Sequence, residues 1–320
     1  MTDDRGRLLG WALSGFEDRA MGSRLRLMVA GPGPARDAWR EVREEFELAE
    51  EAMSRFRDTS ELTQLNRTAR SGRMLVVSRR LRAALAAAER ARRLTGGRFD
   101  PRVLGDLDRL GHVGTPLGLD DEARGTVRED RHVAAIRRSG RREVGIDDPI
   151  DLGGIGKGLA LRWAAARLDR LGMTDYLIEA GGDLVARGRP PDADAWIVGI
   201  ERPDGEPDPL AAVVVQPGGG AVATSSIRVH QWTTDGREVH HLLDPALGEP
   251  ADSGLLSVTV AAGDPAWAEV WSKALFLAGS RLIADEARRR GMAAWWVATS
   301  GELAMTPAAR LRTAWVAAEG

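Results

Sequence analysis

The stretch Asp151-Leu-Gly-Gly-Ile-Gly-Lys-Gly-Leu-Ala160 opens a helical pattern that runs to Leu171 and stops at Gly172. Tyr176-Leu-Ile-Glu-Ala180 follows as a buried strand and enters Gly181-Gly182-Asp183. Glycines at a helix start let backbone N–H groups approach an anion, and the helix N-terminus favours negative charge. Lys157 adds a point charge to that turn. The run is not a Walker A loop, because no Ser or Thr follows the lysine, and its spacing is not G-x-G-x-x-G. A phosphate cradle and a plain strand-to-helix turn both fit these residues.

Outward from this stretch, helices and strands alternate irregularly. Residues 20–31 alternate apolar and basic side chains and end in Gly-Pro-Gly-Pro, which predicts a half-buried strand closed by a turn. Residues 35–56 and 79–95 carry apolar stripes at helical spacing, the second ended by Gly96-Gly97. Strands are expected at 196–200, 211–216, 255–260 and 293–299, and helices at 267–279 and 281–290. Residues 116–150 are polar with weak periodicity and read as a variable surface lobe with a hairpin. Hairpin-like neighbours outnumber regular βαβ units. The expectation is an α+β fold of mixed or antiparallel sheets with packed helices.

Composition narrows the function classes. The 320 residues allow about two domains, or one large domain with an inserted lobe. With 45 basic and 47 acidic residues the net charge is −2, so a nucleic-acid or anionic-membrane partner is not expected. Absence of cysteine excludes disulfides, thiolate zinc sites, thiol nucleophiles and a lipidated N-terminal Cys. Residues 8–13 are too short for a signal segment, and no apolar run is long enough for a membrane span. A cytoplasmic location without a membrane anchor is the default expectation. Lys157 and Lys273 are the only lysines, all other basic side chains being arginine. An ammonium and a guanidinium serve different purposes in a tight site, although chance placement is the alternative.

Other stretches carry candidate chemistry, each beside an ordinary structural role. Glu179-Ala-Gly-Gly-Asp183 is either bare backbone for a ligand or a turn. In Val239-His240-His241-Leu242-Leu243-Asp244-Pro245 the adjacent histidines face opposite sides of a strand, and the motif doubles as a hairpin with its turn at Asp-Pro. Glu269 and Lys273 share a helix face at i and i+4, as in a surface salt bridge, yet Ala268, Ala274, Leu275 and Phe276 beside them look buried. In Met53-Ser-Arg-Phe56-Arg and Ser60-Glu-Leu-Thr-Gln-Leu-Asn66, Phe56 suits stacking on a flat ring and Asn66 a donor to it. A core Phe and a helix cap at Ser60 are the plainer roles.

Taken together and in order, these stretches resemble the ApbE-like family of FAD:protein FMN transferases. The match runs from Met21-Gly-Ser23 through the Phe56 and Asn66 segments, Gly97-Arg-Phe-Asp-Pro101 and Asp151–Gly158. It continues through Ala180-Gly-Gly-Asp183, Ala223-Thr-Ser225 and His241-Leu-Leu-Asp-Pro245 to Ser257-Val-Thr-Val260. The resemblance implies a two-lobed fold across residues 1–320 with FAD lying across the lobes. It places Met21, Phe56, Arg98, Phe99, Asp100, Asp151, Lys157 and Leu243 against FAD, with His241 near the diphosphate. It implies Mg²⁺ held by a backbone carbonyl near Gly154 and by side chains of the late helix.

At that helix the chain departs from the family pattern Ala-Asp-x-x-x-Thr, reading Ala268-Glu269-Val-Trp-Ser272-Lys273. Glu269 and Ser272 remain as oxygen donors, but a protonated Lys273 has no lone pair for a metal. Either Mg²⁺ binds through Glu269, carbonyls and FAD phosphates, or the Lys273 ammonium replaces one metal charge. The implied reaction moves FMN to a Thr or Ser hydroxyl of an acceptor flavoprotein and releases AMP. His241 or Asp244 would take the hydroxyl proton, and Lys273 would stabilise phosphate charge. The alternatives are a metal-dependent FAD diphosphatase and a non-catalytic FAD-binding protein.

Overall fold

The computed structural model describes residues 13–112, 136–202, 205–228, 230–234 and 236–317. Two hairpins organise its centre. Strands β1 (Leu13–Ala20) and β2 (Ser23–Ala30) pair through the two-residue turn Met21-Gly22, and β6 (Tyr176–Ala180) and β7 (Asp183–Arg187) through Gly181-Gly182. All four turn residues have positive φ, as a type I′ turn requires, and Met21 adopts it without being glycine (φ 50°). Between these strand pairs lie α1 (Ala35–Met53), α2 (Glu61–Asn66), β3 (Leu75–Val76), α3 (Arg79–Leu94) and α4 (Leu104–Arg109). The hairpin β4 (Ile136–Ser139) with β5 (Glu143–Ile146) and the helix α5 (Gly156–Arg170) complete this half of the chain.

The second half runs β8 (Trp196–Ile200), β9 (Ala211–Val215), β10 (Gly220–Ser226), β11 (Gln231–Thr234) and β12 (Arg237–His240). It continues with β13 (Leu243–Asp244), β14 (Glu249–Pro250), β15 (Leu255–Ala262) and the long helix α6 (Pro265–Arg289). It ends with β16 (Ala293–Ala298), β17 (Leu303–Met305), α7 (Pro307–Arg310) and β18 (Thr313–Val316). Eight strands form one sheet in the order β1-β2-β6-β7-β10-β15-β16-β17. Every pairing described in it is antiparallel. The fold is α+β, as the irregular alternation predicts.

Alternation along the strands explains why both faces of the sheet are covered. Leu25, Leu27 and Val29 of β2, with Tyr176, Ile178 and Ala180 of β6, point into one core together with α1, α3 and α5. Leu177, Leu184 and Ala186 face a second core closed by the three-stranded sheet β18-β9-β8. In α1, Ala38, Val42, Phe46, Ala49 and Met53 recur at helical spacing and are buried. Phe46 is completely enclosed, a burial that stabilises by roughly 1.5–3 kcal/mol. Glu45 is carried into the same interface, where Arg80 (2.9 and 2.7 Å) and Arg167 (2.6 Å) neutralise it.

The predicted helices and strands fall where the pattern puts them. Ser60 and Ser78 cap α2 and α3 by accepting the N–H groups of Thr63 and Leu81. The two helices expected at 267–279 and 281–290 are the two arms of α6, broken at Gly279 (φ 74°), where the Ser280 N–H donates instead to the Ser253 carbonyl. The hairpin expected within 116–150 is β4–β5; the rest of that expected lobe, residues 116–135, lies outside the described residues, as does the N-terminal run 8–12. No helix among the described residues is long and apolar enough to cross a membrane.

Candidate functional site

Both hairpin turns end at the start of α5. A Cβ on Gly156 would lie 3.5 Å from the Met21 methyl, and one on Gly181 would strike Ser23 at 2.7 Å with Lys157 Nζ 4.0 Å away. The Met21 turn is held from behind: its N–H donates to Glu50 (2.8 Å), and Glu50 is gripped by Arg57. The segment entering α5 is equally constrained. The Asn66 side-chain amide donates to the Ile150 carbonyl and accepts its N–H, both at 2.8 Å, and the Asp151 N–H donates to Pro101 O (2.7 Å). Asn66, read from sequence as a donor to a flat ring, is therefore spent on backbone.

The glycines of 151–158 answer to tertiary neighbours. A Cβ on Gly158 would meet Ala266 Cα and Pro265 O at 2.5 Å, so only glycine lets α5 and α6 approach this closely. The contact allows the Gly158 N–H to donate to buried Glu269 (2.7 Å). A Cβ on Gly154 would lie 2.5 Å from Lys273 Nζ and 3.0 Å from the Phe99 ring. The lysine amine therefore rests directly on the Gly154 backbone.

Charges converge on this point. Lys157 forms an ion pair with Asp183, which is buried and also accepts the Thr224 N–H (3.1 Å). Burial opposes the charge of Lys157, but Asp183 and Glu269 outweigh it and hold the amine above its ordinary value. Glu269 is pushed up to about 8 by burial and by Asp183, against the pull of Lys157, the Gly158 N–H and Lys273. Burial draws Lys273 below its ordinary value, with Asp151 and Glu269 acting against the fall. Arg55 joins the cluster through Asp151 (3.4 Å), stacks over the exposed ring of Phe56 (4.4 Å) and donates to His112 Nδ1 (2.5 Å).

Three histidines line the same side. His241 meets His230 edge-on at 5.3 Å between ring centroids, and His230 lies 5.9 Å from His112. The neighbouring His240 faces the other way, against Phe276, as alternation along a strand demands. Burial, then Lys273 and the other imidazoles, hold His241 well below its ordinary value, and its Nδ1 is buried without a hydrogen-bond partner.

The structure thus gathers Phe99, Asp151, Gly154, Lys157, Glu269, Lys273 and His241, with Met21 at the α5 turn and Phe56 reached through Arg55. Other sequence candidates have different partners. Arg98 pairs with Glu286 (3.3 Å) near the end of α6. Asp100 accepts from Arg102 (2.8 Å) and Arg92 (3.2 Å) and caps the turn after it; despite burial, Arg102 above all keeps its carboxyl below the usual range. Asp244 accepts the Ala246 N–H (2.8 Å) inside its own turn. Leu243 packs with Leu107 and Leu110 in a small core. The buried Ser272 hydroxyl bonds Ser225 and the Glu269 carbonyl, both at 2.9 Å. Arg55, Asp183, His112 and His230 belong to the cluster but were given no role from sequence. Arg55 and Asp183 lay inside motifs already noted, whereas His112 and His230 carried no local signal.

The residues present do not fit the magnesium site implied by the resemblance. An ammonium stands against the Gly154 backbone, the Glu269 carboxyl is engaged by the Gly158 N–H, and the Ser272 hydroxyl is committed to protein partners. Among the described residues no three His, Asp or Glu side chains are grouped to hold a metal. Lysine supplies donors and no lone pair. What the cluster offers an anion is the Lys273 ammonium over a glycine-rich helix N-terminus, with Lys157 and Arg55 beside it in ion pairs with Asp183 and Asp151.

Known proteins resemble this chain over most of its length. A protein named FAD:protein FMN transferase from Salmonella typhimurium is 28% identical over 300 residues, covering 90% of this chain and 85% of that protein. One of the same name from Klebsiella pneumoniae is 31% identical over 175 residues, covering 54% and 50%. The crystal structure of the ApbE protein of Thermotoga maritima superposes with a TM-score of 0.82 at 26% identity, covering 94% of this chain and 99% of that one. The apo flavinyl transferase ApbE of Pseudomonas stutzeri gives 0.80 at 26% identity, covering 96% and 98%. The model of the ApbE family matches residues 21–296, and with its fold and motif order the chain belongs to the ApbE family.

Proposed function

We propose that this chain is an FAD:protein FMN transferase, which splits the FAD diphosphate and joins FMN to a Thr or Ser hydroxyl of an acceptor flavoprotein. The observation that carries the reading is the pair Lys157 and Lys273, converging on the glycine-rich start of α5 in an ApbE-family fold. The N-terminus of α5 and the Lys273 ammonium attract the diphosphate, with Lys157 beside them in its ion pair with Asp183. Phe56, exposed and backed by Arg55, offers a face for a flat ring.

The acceptor oxygen attacks the phosphorus on the FMN side, a new P–O bond forms, and the bond to the AMP phosphate oxygen breaks. AMP leaves as a phosphate anion and needs no proton. The hydroxyl proton goes to His241, whose imidazole burial keeps neutral. Bound diphosphate offsets the lysine charge next to this ring and raises its basicity as the substrate arrives. Asp244 is the less suitable acceptor, since its carboxylate already holds a turn. Positioning and charge stabilisation are the main sources of rate in such transfers.

The test is to incubate the protein with FAD and a Thr-bearing acceptor domain and to follow AMP, FMN and the acceptor mass. AMP release with an equal amount of acceptor-bound FMN is expected. AMP with only free FMN would replace transfer by hydrolysis, and bound FAD that stays intact would leave a flavin-binding protein.

A further inference from the structure

We propose that Lys273 is a built-in cation for the FAD diphosphate, so that this chain binds and cleaves FAD without a divalent metal ion. The inference rests on the transferase reading and deepens it by naming what neutralises the phosphates. Lys157 is already committed to Asp183. Lys273 forms no hydrogen bond and no ion pair with any described residue, although it is half-buried among packed side chains. Three ammonium donors are thus left for a ligand at a position where burying them unpaired is costly.

The position is specific. The amine lies against Gly154 and beside Phe99, on the glycine-rich segment that starts α5. Replacing Gly154 by any other residue would place a Cβ 2.5 Å from the amine, closer than the two can stand. A guanidinium is larger and planar, whereas the group that stands against Gly154 is a compact ammonium. This accounts for lysine at 273 in a chain whose other cations, Lys157 apart, are arginines. A divalent ion entering beside Gly154 would face the like charge of Lys273 at close range, with the Glu269 carboxyl already accepting from Gly158 and the Ser272 hydroxyl bonded to Ser225.

The experiment measures FAD binding by the whole chain, and its AMP release in the presence of a Thr-bearing acceptor domain, in excess EDTA and in excess Mg²⁺. Affinity and rate are expected to agree within about twofold between the two buffers, the residue being ionic screening. Lys273→Met should weaken FAD binding about tenfold or more in both buffers, since a buried charge-assisted contact is lost. The double variant Glu269→Asp with Lys273→Thr should gain Mg²⁺-dependent FAD binding, and Mn²⁺ binding followed by electron paramagnetic resonance should appear in it and not in the wild type. Wild-type FAD affinity that collapses in EDTA and returns with Mg²⁺, or tight Mn²⁺ binding by the wild type, would overturn the inference. FAD bound equally in both buffers but cleaved in neither would overturn the transferase reading and metal-free cleavage with it, leaving only the cation's part in binding, and cleavage confined to the Mg²⁺ buffer would overturn metal-free cleavage. No FAD binding in either buffer would overturn both.

Discussion

Gly158 and Glu269 are joined by a 2.7 Å hydrogen bond across the crossing of α5 and α6, where the glycine backbone meets Pro265 and Ala266 with no space for a side chain. One contact thereby sets both the helix approach and the height at which Lys273, one turn further along α6, reaches Gly154.

Gly158→Ala should therefore be a stability variant, and Gly154→Ala a binding variant. The first drives a methyl group into backbone, at an expected loss of about 1–3 kcal/mol. The second displaces the end of a flexible lysine, so its melting temperature should fall less while FAD affinity falls more. Calorimetry beside FAD titration separates the two, and equal losses in both assays for both variants would contradict the assignment.

Glu269 predicts a pH dependence of stability. Its folded value, raised from 4.5 to about 8, means that the native state holds a proton which the unfolded chain releases. Its contribution is thus unfavourable above the unfolded value, and stability should decline as pH rises from about 4.5 to about 8. Glu269→Gln keeps an acceptor for Gly158 and removes the titration. Its melting temperature, measured across that range, should decline less steeply than that of the wild type.

Lys157→Met leaves Asp183 buried without its partner, an expected cost of about 3–5 kcal/mol. Adding Asp183→Asn should recover much of that stability by removing the stranded charge, without recovering FAD affinity. Denaturant midpoints and FAD titrations of the two variants check both halves of the statement.

His241→Asn should lower the transfer rate about 10²–10⁴-fold, the range for a lost general base, while FAD affinity changes little. Because burial and Lys273 hold the imidazole well below 6.5, the wild-type kcat/KM should remain flat on lowering the pH past 6.5 and decline only at more acid values. A decline centred at or above 6.5 would show that another group takes the proton.

Local pattern was enough for much of the fold. The buried face of α1, the serine caps of α2 and α3, and the opposed histidines at 240 and 241 follow from periodicity and short-range hydrogen bonding, which act over a few residues. The motif order from Met21 to Val260 also led to the family, because ligand chemistry restricts residue types segment by segment. Two readings stopped short where partners are distant. The glycine-rich turn allowed both a phosphate cradle and a plain turn, since Ala266 and Pro265, which require Gly158, lie more than a hundred residues further along the chain. Asn66 had a plausible flat-ring partner until its pairing with Ile150 was seen, across a separation of 84 residues.

By itself the sequence determined the helices, the strands, the family and the presence of two lysines among many arginines. Only the tertiary structure decided that those lysines share one site but not one condition: Lys157 is neutralised by Asp183, while Lys273 rests unpaired on Gly154. It also decided that His112, His230 and Arg55 stand with them. The physical reason is that charge, burial and pairing are properties of neighbours in space. A lysine's letter records its charge, and the fold alone records what that charge faces.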